Sequence, residues 1–286
     1  MKDKHVYPLW FTIPTLAIFL SLFIVPMVLS LFFSMTIWNF DSFTFNGIDN
    51  YIMFFQEQSL IIGVKNTVIY AIITCGLKLI ISFFIALFLT SAIKTKSLQR
   101  SIVFFPNLVS TMAVGITFKA LMHPSKGIIN QFIEFIGFEG INWLGDPNLA
   151  LYSVALVDVW KGVSIASVIF IAGLQSIDKT YYEASMIDGA NYWQRLRLIT
   201  IPLARSAMNS IIILAFIGGL KSFDLIWAMT AGGPGFASDV VASVIYKQYA
   251  AGFYGLSTAG NVIMFMLIAV LAFPLQKYLL SKEVYQ

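Results

Sequence analysis

Six apolar stretches dominate the chain, separated by shorter polar segments. They cover residues 9–38, 64–93, 101–121, 149–177, 203–229 and 255–280. A helix needs roughly 20 apolar residues to cross the hydrocarbon core of a bilayer. Each stretch is long enough, so the pattern predicts an all-α polytopic membrane protein with six transmembrane helices. Pro14, Pro26, Pro106 and Pro274 fall inside or near these stretches. Membrane helices accept such prolines because neighbouring groups satisfy the freed carbonyls. No low-complexity tract, extended linker or second domain interrupts the pattern. The expected organisation is one transmembrane domain over 1–286, with a first helix and loop in 1–62 and a five-helix core in 63–286.

The polar segments are uneven. Segment 39–63 is acidic, with Asp41, Asp49 and Glu57. Segment 122–148 contains His123, Pro124, Gly127, Gly137, Gly140, Gly145, Asp146 and Pro147, a pattern that predicts a short helix between turns. Segment 178–206 is too long for a simple connection, and it is patterned. Asp178 is placed to cap a helix holding Tyr181, Tyr182, Glu183, Ala184, Ser185 and Met186. Tyr182 and Met186 would share a face at i,i+4. Asp188-Gly189 would end that helix, since glycine enters the left-handed region cheaply. Asn191 is placed to cap a second helix in which Trp193, Leu196 and Thr200 share a face, and Pro202 would open the fifth span. Two such helices under a membrane domain suit docking to a partner. They equally suit lying on the bilayer, with Arg195 and Arg197 against lipid phosphates.

Composition agrees with a membrane location. Of the 286 residues, 58% are hydrophobic and 11% charged, against about 25% charged in a soluble domain. Mean hydropathy is +0.82. The net charge of +4 sits in short loops, where it sets topology rather than marking a nucleic-acid surface. With the N-terminus inside, Lys2, Lys4, Lys94, Lys96, Arg100, Lys179, Arg195, Arg197, Arg205, Lys277 and Lys282 are cytoplasmic. Only Lys126 and Lys247 then fall in outer loops. This bias predicts that both termini are cytoplasmic. The first apolar stretch is too long for a signal peptide and lacks a small-residue cleavage site after it.

The remaining lysines, Lys65, Lys78, Lys119, Lys161 and Lys221, lie within or at the ends of spans. They are expected in the outer part of each span, where they can snorkel to headgroups or pair locally. Asp158 with Lys161, and Lys221 with Asp224, have the i,i+3 spacing of helical pairs. The alternative is that some of these lysines line a water-filled cavity open to the outside.

Catalytic chemistry has no carrier. There is no phosphate-binding G-x-x-x-x-G-K-[ST], and the Gly232-Gly233-Pro234-Gly235 cluster lacks a lysine. The two histidines, His5 and His123, are far apart, and the single cysteine, Cys75, excludes an internal disulfide and a multi-cysteine metal site. No metal or cofactor is therefore expected on this chain.

Segment 183–202 resembles a known signature. E-A-S-x-x-x-G, nine residues, then I-x-I-P is similar to the EAA motif of binding-protein-dependent ABC importer permeases, E-A-A-x-x-x-G-x(9)-I-x-L-P. Glu183, Ala184, Gly189, Ile199 and Pro202 match; Ser185 replaces an alanine and Ile201 a leucine. LGDPN at 144–148, DVWKG at 158–162, FIAGLQSI at 170–177 and MTAGGPG at 229–235 resemble the carbohydrate-importer branch.

The resemblance implies a type I ABC importer transmembrane fold in the bacterial cytoplasmic membrane. It implies that loop 178–206 carries a coupling helix seated on a cytoplasmic ATPase. Glu183, Ala184, Ser185, Asp188, Gly189, Ile199 and Pro202 would form the coupling element, with Glu183 making a charge-assisted contact. The partners implied are a second related permease, two copies of an ABC ATPase that uses ATP and magnesium, and an extracytoplasmic sugar-binding protein. By resemblance to maltose-type permeases, the solute path would involve stretches 161–165 and 215–222. Lys161, Gly162, Ser164, Ile165, Gly218, Gly219 and Ser222 are the candidates there. The glycines either line a cavity or allow close helix packing. Trp160, Phe216, Phe223 and Trp227 either offer aromatic faces to a sugar or belong to an interfacial belt. An amino-acid or phosphate importer permease is the nearest competing reading. A secondary transporter would show inverted repeats and midplane acidic sites, which are not evident, and a membrane-embedded enzyme would need a catalytic constellation.

Overall fold

The computed structural model describes residues 9–39, 42–91 and 95–282. Lys2, Lys4, His5, Asp41, Ile93 and Lys94, used in the sequence reading, lie outside them. In chain order the elements begin with α1 (Trp10–Phe33), β1 (Thr36–Trp38), β2 (Phe43–Phe45), α2 (Asp49–Gln56) and α3 (Gln58–Thr90). Next come α4 (Lys96–Leu108), α5 (Thr111–Leu121), α6 (Ile128–Phe135), α7 (Ala150–Gln175) and α8 (Lys179–Ile187). The last are α9 (Tyr192–Leu203), α10 (Arg205–Leu220), α11 (Asp224–Met229), α12 (Val241–Ala250) and α13 (Tyr254–Leu280).

Four helices, α1, α3, α7 and α13, are each long and apolar enough to cross a membrane. Two bent pairs raise the number to six if each counts as one span: α4 with α5, bent by 95°, and α9 with α10, bent by 63°. The chain is therefore mostly helical with four to six apolar helices. The short helix expected in 122–148 is α6.

Several expectations need correction. A short two-stranded hairpin interrupts the helices. The first helix ends at Phe33, and Thr36–Trp38 pairs antiparallel with Phe43–Phe45, Thr36 opposite Phe45. The β-branched and aromatic residues of this stretch suit an extended hairpin. The stretch 101–121 is not one straight helix but breaks at Val109, which is extended. The stretch 203–229 is likewise divided, since α10 stops at Leu220 and α11 restarts at Asp224. Pro202 does not open a span. It lies within α9, and the bend falls at Ala204. A π turn over Leu196–Thr200 precedes it, with the Ile201 N–H donating to the Leu196 carbonyl. The same device precedes Pro26, where a π turn spans Leu20–Ile24 and the Val25 N–H donates to the Leu20 carbonyl. In both places the wide turn ends one residue short of the proline, the residue that lacks an N–H.

By internal contacts the chain divides into two compact units, residues 1–57 with 245–265 and residues 58–244 with 266–286. In the first, buried Asn50 ties α2 to the hairpin by donating to the Ser34 and Thr36 carbonyls at 2.9 and 2.8 Å. Helix α1 is exposed along its apolar length.

The second unit is built on α3 and α7. One apolar cluster joins Tyr70, Val114, Val154, Val157, Leu225 and Met229. Another joins Ala86, Leu89, Ala166, Phe170 and Ile211. Along α3 and α7, the residues between the two clusters include Lys78, Asp158, Gly162 and Ser164. A polar layer thus separates two apolar ones. On α3, Asn66 donates to the Ala237 and Asp239 carbonyls, both at 2.9 Å, and pins the Gly-rich turn 232–239.

Candidate functional site

Helix α8 is delimited at both ends by its own sequence. Asp178, with extended backbone, accepts from the Thr180 N–H at 2.9 Å. That hydrogen bond favours the carboxylate and lowers the Asp178 pKa. At the other end Gly189 takes φ +76°. The Ala190 N–H donates to the Ser185 carbonyl at 2.9 Å and the Gly189 N–H to the Met186 carbonyl at 3.1 Å. This is the Schellman arrangement. Asn191 then caps α9 in a full capping box with Gln194.

The inward face of α8 differs from the expected one. Tyr182 is half-buried and Ser185 buried, whereas Met186 is exposed. Residues 182 and 185 share a face at i,i+3 as readily as 182 and 186 do at i,i+4. The Tyr182 hydroxyl contacts Thr200 Oγ1 at 3.1 Å and links α8 to α9. Glu183, Ala184, Asp188 and Gly189 are exposed, and Ile199 and Pro202 half-buried. Among the described residues, Glu183 has no hydrogen-bond or ion-pair partner. Ile187, one turn further along α8, is 88% exposed, and Trp193 of α9 is 72% exposed.

The solute-path candidates divide by environment. Lys161 is occupied: its ammonium donates to the carbonyls of Pro106 and Val109, where α4 breaks from α5. A cation at a helix C-terminus is favourable there. The expected Asp158–Lys161 pair is therefore replaced. Asp158 Oδ2 accepts from Lys78 Nζ at 2.8 Å across two helices. Lys221 and Asp224 form no ion pair; helix α10 ends before them, so i,i+3 spacing brings no shared face. Gly162 makes room for the Lys78 stem, since an added Cβ would meet Lys78 Cδ at 2.8 Å. Ser164 is buried and its hydroxyl has no hydrogen-bond partner among the described residues, while Ile165 is exposed.

The two adjacent glycines of α10 behave differently. An added Cβ at Gly219 would meet Ala71 Cα at 2.6 Å, so α3 and α10 approach closely there. At Gly218 nothing lies within 4 Å. Gly218, Ser222, Asp158 and Lys221 line a cavity of about 280 Å³. Lys78, Gly162 and Ile165 line a second, more apolar cavity of about 280 Å³. Phe223 and Trp227 stack at 5.7 Å. Sequence reading missed Lys78 and Asp158 as partners, and it missed Tyr70, which is buried next to Asp158 and Ser222. The available signal was that all three are polar residues inside apolar runs; their meeting across α3 and α7 is a tertiary fact.

The model of the family described as binding-protein-dependent transport system inner membrane component matches residues 6–283. The chain belongs to that family. It is 31% identical to a trehalose/maltose transport system permease protein of Thermococcus litoralis over 78% of this chain and 76% of that one. It is 31% identical to a sulfoquinovosyl glycerol transport system permease protein of Agrobacterium fabrum over 88% and 83%. Its fold matches a chain of a bacterial ABC transporter involved in import of the acidic polysaccharide alginate, with TM-score 0.80, 22% identity and coverage of 94% and 92%.

Proposed function

We propose that this chain is one transmembrane half of an ATP-driven sugar importer. The observation that carries this reading is a docking element in segment 178–203: a helix fixed at both ends that presents an unpaired Glu183 on an exposed surface. Family membership and the sugar substrates named for its relatives support it. In this reading the chain is a single permease domain with six spans, α1, α3, α4 with α5, α7, α10 and α13, and α9 belongs to the loop before the fifth span. Both termini and loop 178–206 are cytoplasmic, as the lysine and arginine asymmetry favours.

The partners are a related permease, two ATPase subunits and an extracytoplasmic sugar-binding protein. ATP and magnesium are used by the ATPase, and this chain binds no cofactor of its own. Glu183 contacts the ATPase, and the Asp178 cap and Gly189 turn hold the helix rigid enough to transmit its motion. Tyr182 passes that motion to α9 through Thr200, and α9 leads into α10, which carries Gly218. Closure of the ATPase dimer thereby switches the cavity between its two openings. The test is co-purification: the permease pair should retain the ATPase, and sugar-loaded binding protein should stimulate hydrolysis. A pair that neither retains the ATPase nor responds to loaded binding protein would overturn this reading.

A further inference from the structure

We propose that the cavity between the C-terminal end of α3 and helices α8 and α9 is a binding site for a phosphate group, with Arg195 as its cationic ligand. This goes beyond the sugar reading and shares with it only the cytoplasmic placement of loop 178–206. The cavity has a volume of about 420 Å³, within the range of about 300–1,000 Å³ usual for ligand sites. Thr90 and Ser91 line it from the end of α3, Tyr182 from α8, and Tyr192 and Arg195 from α9. Tyr192 and Arg195 are spaced i,i+3 and share one helix face.

The donors around this cavity divide into spent and free. Thr90 Oγ1 donates to the Ala86 carbonyl at 2.8 Å, and Ser91 Oγ to the Phe88 carbonyl at 2.6 Å. The hydroxyls of Tyr182 and Thr200 meet each other. The guanidinium of Arg195, a half-buried residue, makes no hydrogen bond or ion pair among the described residues, and the Tyr192 hydroxyl makes no hydrogen bond there. Other cations of the same unit are occupied: Lys78 by Asp158, Lys161 by the Pro106 and Val109 carbonyls, and Arg205 by the Lys282 carbonyl at 2.8 Å. The cavity lining holds no carboxylate. A planar guanidinium without an acidic neighbour suits a phosphate, which it can engage through two parallel hydrogen bonds.

The rest of the lining favours a phospholipid as the source of that phosphate. Leu87, Leu174 and Leu196 form an apolar wall. Leu87 and Leu174 stand near the ends of α3 and α7, helices long and apolar enough to cross a membrane. Headgroup and acyl chain meet at that level, and basic pockets between helix ends on the cytoplasmic side recognise anionic headgroups. A phosphate held by Arg195 would tie α9 to α3 beside the Tyr182–Thr200 contact. Arg197 is exposed and takes no part in this lining, so it serves as a charge control.

The test uses the complete importer, delipidated in detergent and returned to bilayers. One set of bilayers is phosphatidylcholine with phosphatidylglycerol; the other is phosphatidylcholine alone with radiolabelled inorganic phosphate in solution. Native mass spectrometry measures retained phosphatidylglycerol, and equilibrium dialysis measures bound inorganic phosphate. The wild type should retain phosphatidylglycerol, and Arg195→Gln should weaken that retention about tenfold or more. Arg195→Lys keeps the charge and should restore part of it. Arg197→Gln deletes the same charge at an exposed position and should retain lipid as the wild type does. Binding of inorganic phosphate that Arg195→Gln abolishes would support the site and assign it a free anion. Equal binding by wild type and Arg195→Gln in both sets, or an equal loss in Arg197→Gln, would overturn the inference. So would loss of the ATPase from Arg195→Gln in phosphatidylcholine alone, because the guanidinium would then serve that subunit. A wild-type complex that retains no ATPase would overturn the proposed function and leave the lipid measurement standing.

Discussion

Lys78 Nζ lies 2.8 Å from Asp158 Oδ2, joining α3 to α7 in the polar layer between two apolar clusters. The side chains are only 10% and 19% exposed. Two charges so placed are stable together and costly apart.

Single substitutions at this pair should therefore destabilise the fold more than the double change does. Asp158→Asn strands an ammonium and Lys78→Met strands a carboxylate, each costing about 3–5 kcal/mol. Thermal unfolding in detergent, followed by fluorescence-detected size exclusion, would measure this. Equal melting of Asp158→Asn and wild type would contradict the role of the pair.

The neighbouring glycines of α10 should separate cleanly. Gly219→Leu places a branched side chain against the Ala71 backbone and should abolish assembly with the partner permease. Gly218→Leu projects into open space and should assemble, yet block uptake. Co-purification and vesicle uptake on the two variants decide this, and the reverse pattern would assign the cavity to Gly219.

How much of this was legible beforehand depended on range along the chain. The caps at Asp178 and Asn191 and the turn at Gly189 are local devices written in a few consecutive residues, so sequence located them correctly. The hairpin after Phe33 was hidden because Thr36, Ile37 and Trp38 are apolar enough to extend a span on hydropathy alone. The Asp158–Lys161 pairing expected from i,i+3 spacing failed because Lys78, 80 positions away from Asp158, lies closer in space. Likewise the adjacent Gly218 and Gly219 are indistinguishable in sequence. Only the packing of α3 tells them apart.

Glu183 and Gly189 should affect coupling without affecting insertion. Glu183→Ala removes one charge-assisted contact, about 1.5–3 kcal/mol, and should lower ATPase retention by roughly tenfold or more. Gly189→Val forces a branched residue to φ +76°, costing about 1–2 kcal/mol, and should displace α8. Pull-down of the ATPase with stimulated hydrolysis measures both. Wild-type values in both variants would mean that segment 178–206 is not the coupling element.

Orientation is checked by cysteines at exposed positions. Ser42, Ser125 and Ala184 are exposed, whereas Ser185 and Ser238 are buried and unsuitable. In whole cells an impermeant thiol reagent should label Ser42→Cys and Ser125→Cys but not Ala184→Cys. Labelling of Ala184→Cys from outside would invert the topology.

The most direct test of the central claim is sugar uptake into vesicles that contain this chain, its partner permease and the ATPase. The account predicts that a sugar accumulates only when ATP is enclosed and sugar-binding protein is present outside. Accumulation without ATP, driven by an imposed ion gradient, would contradict it.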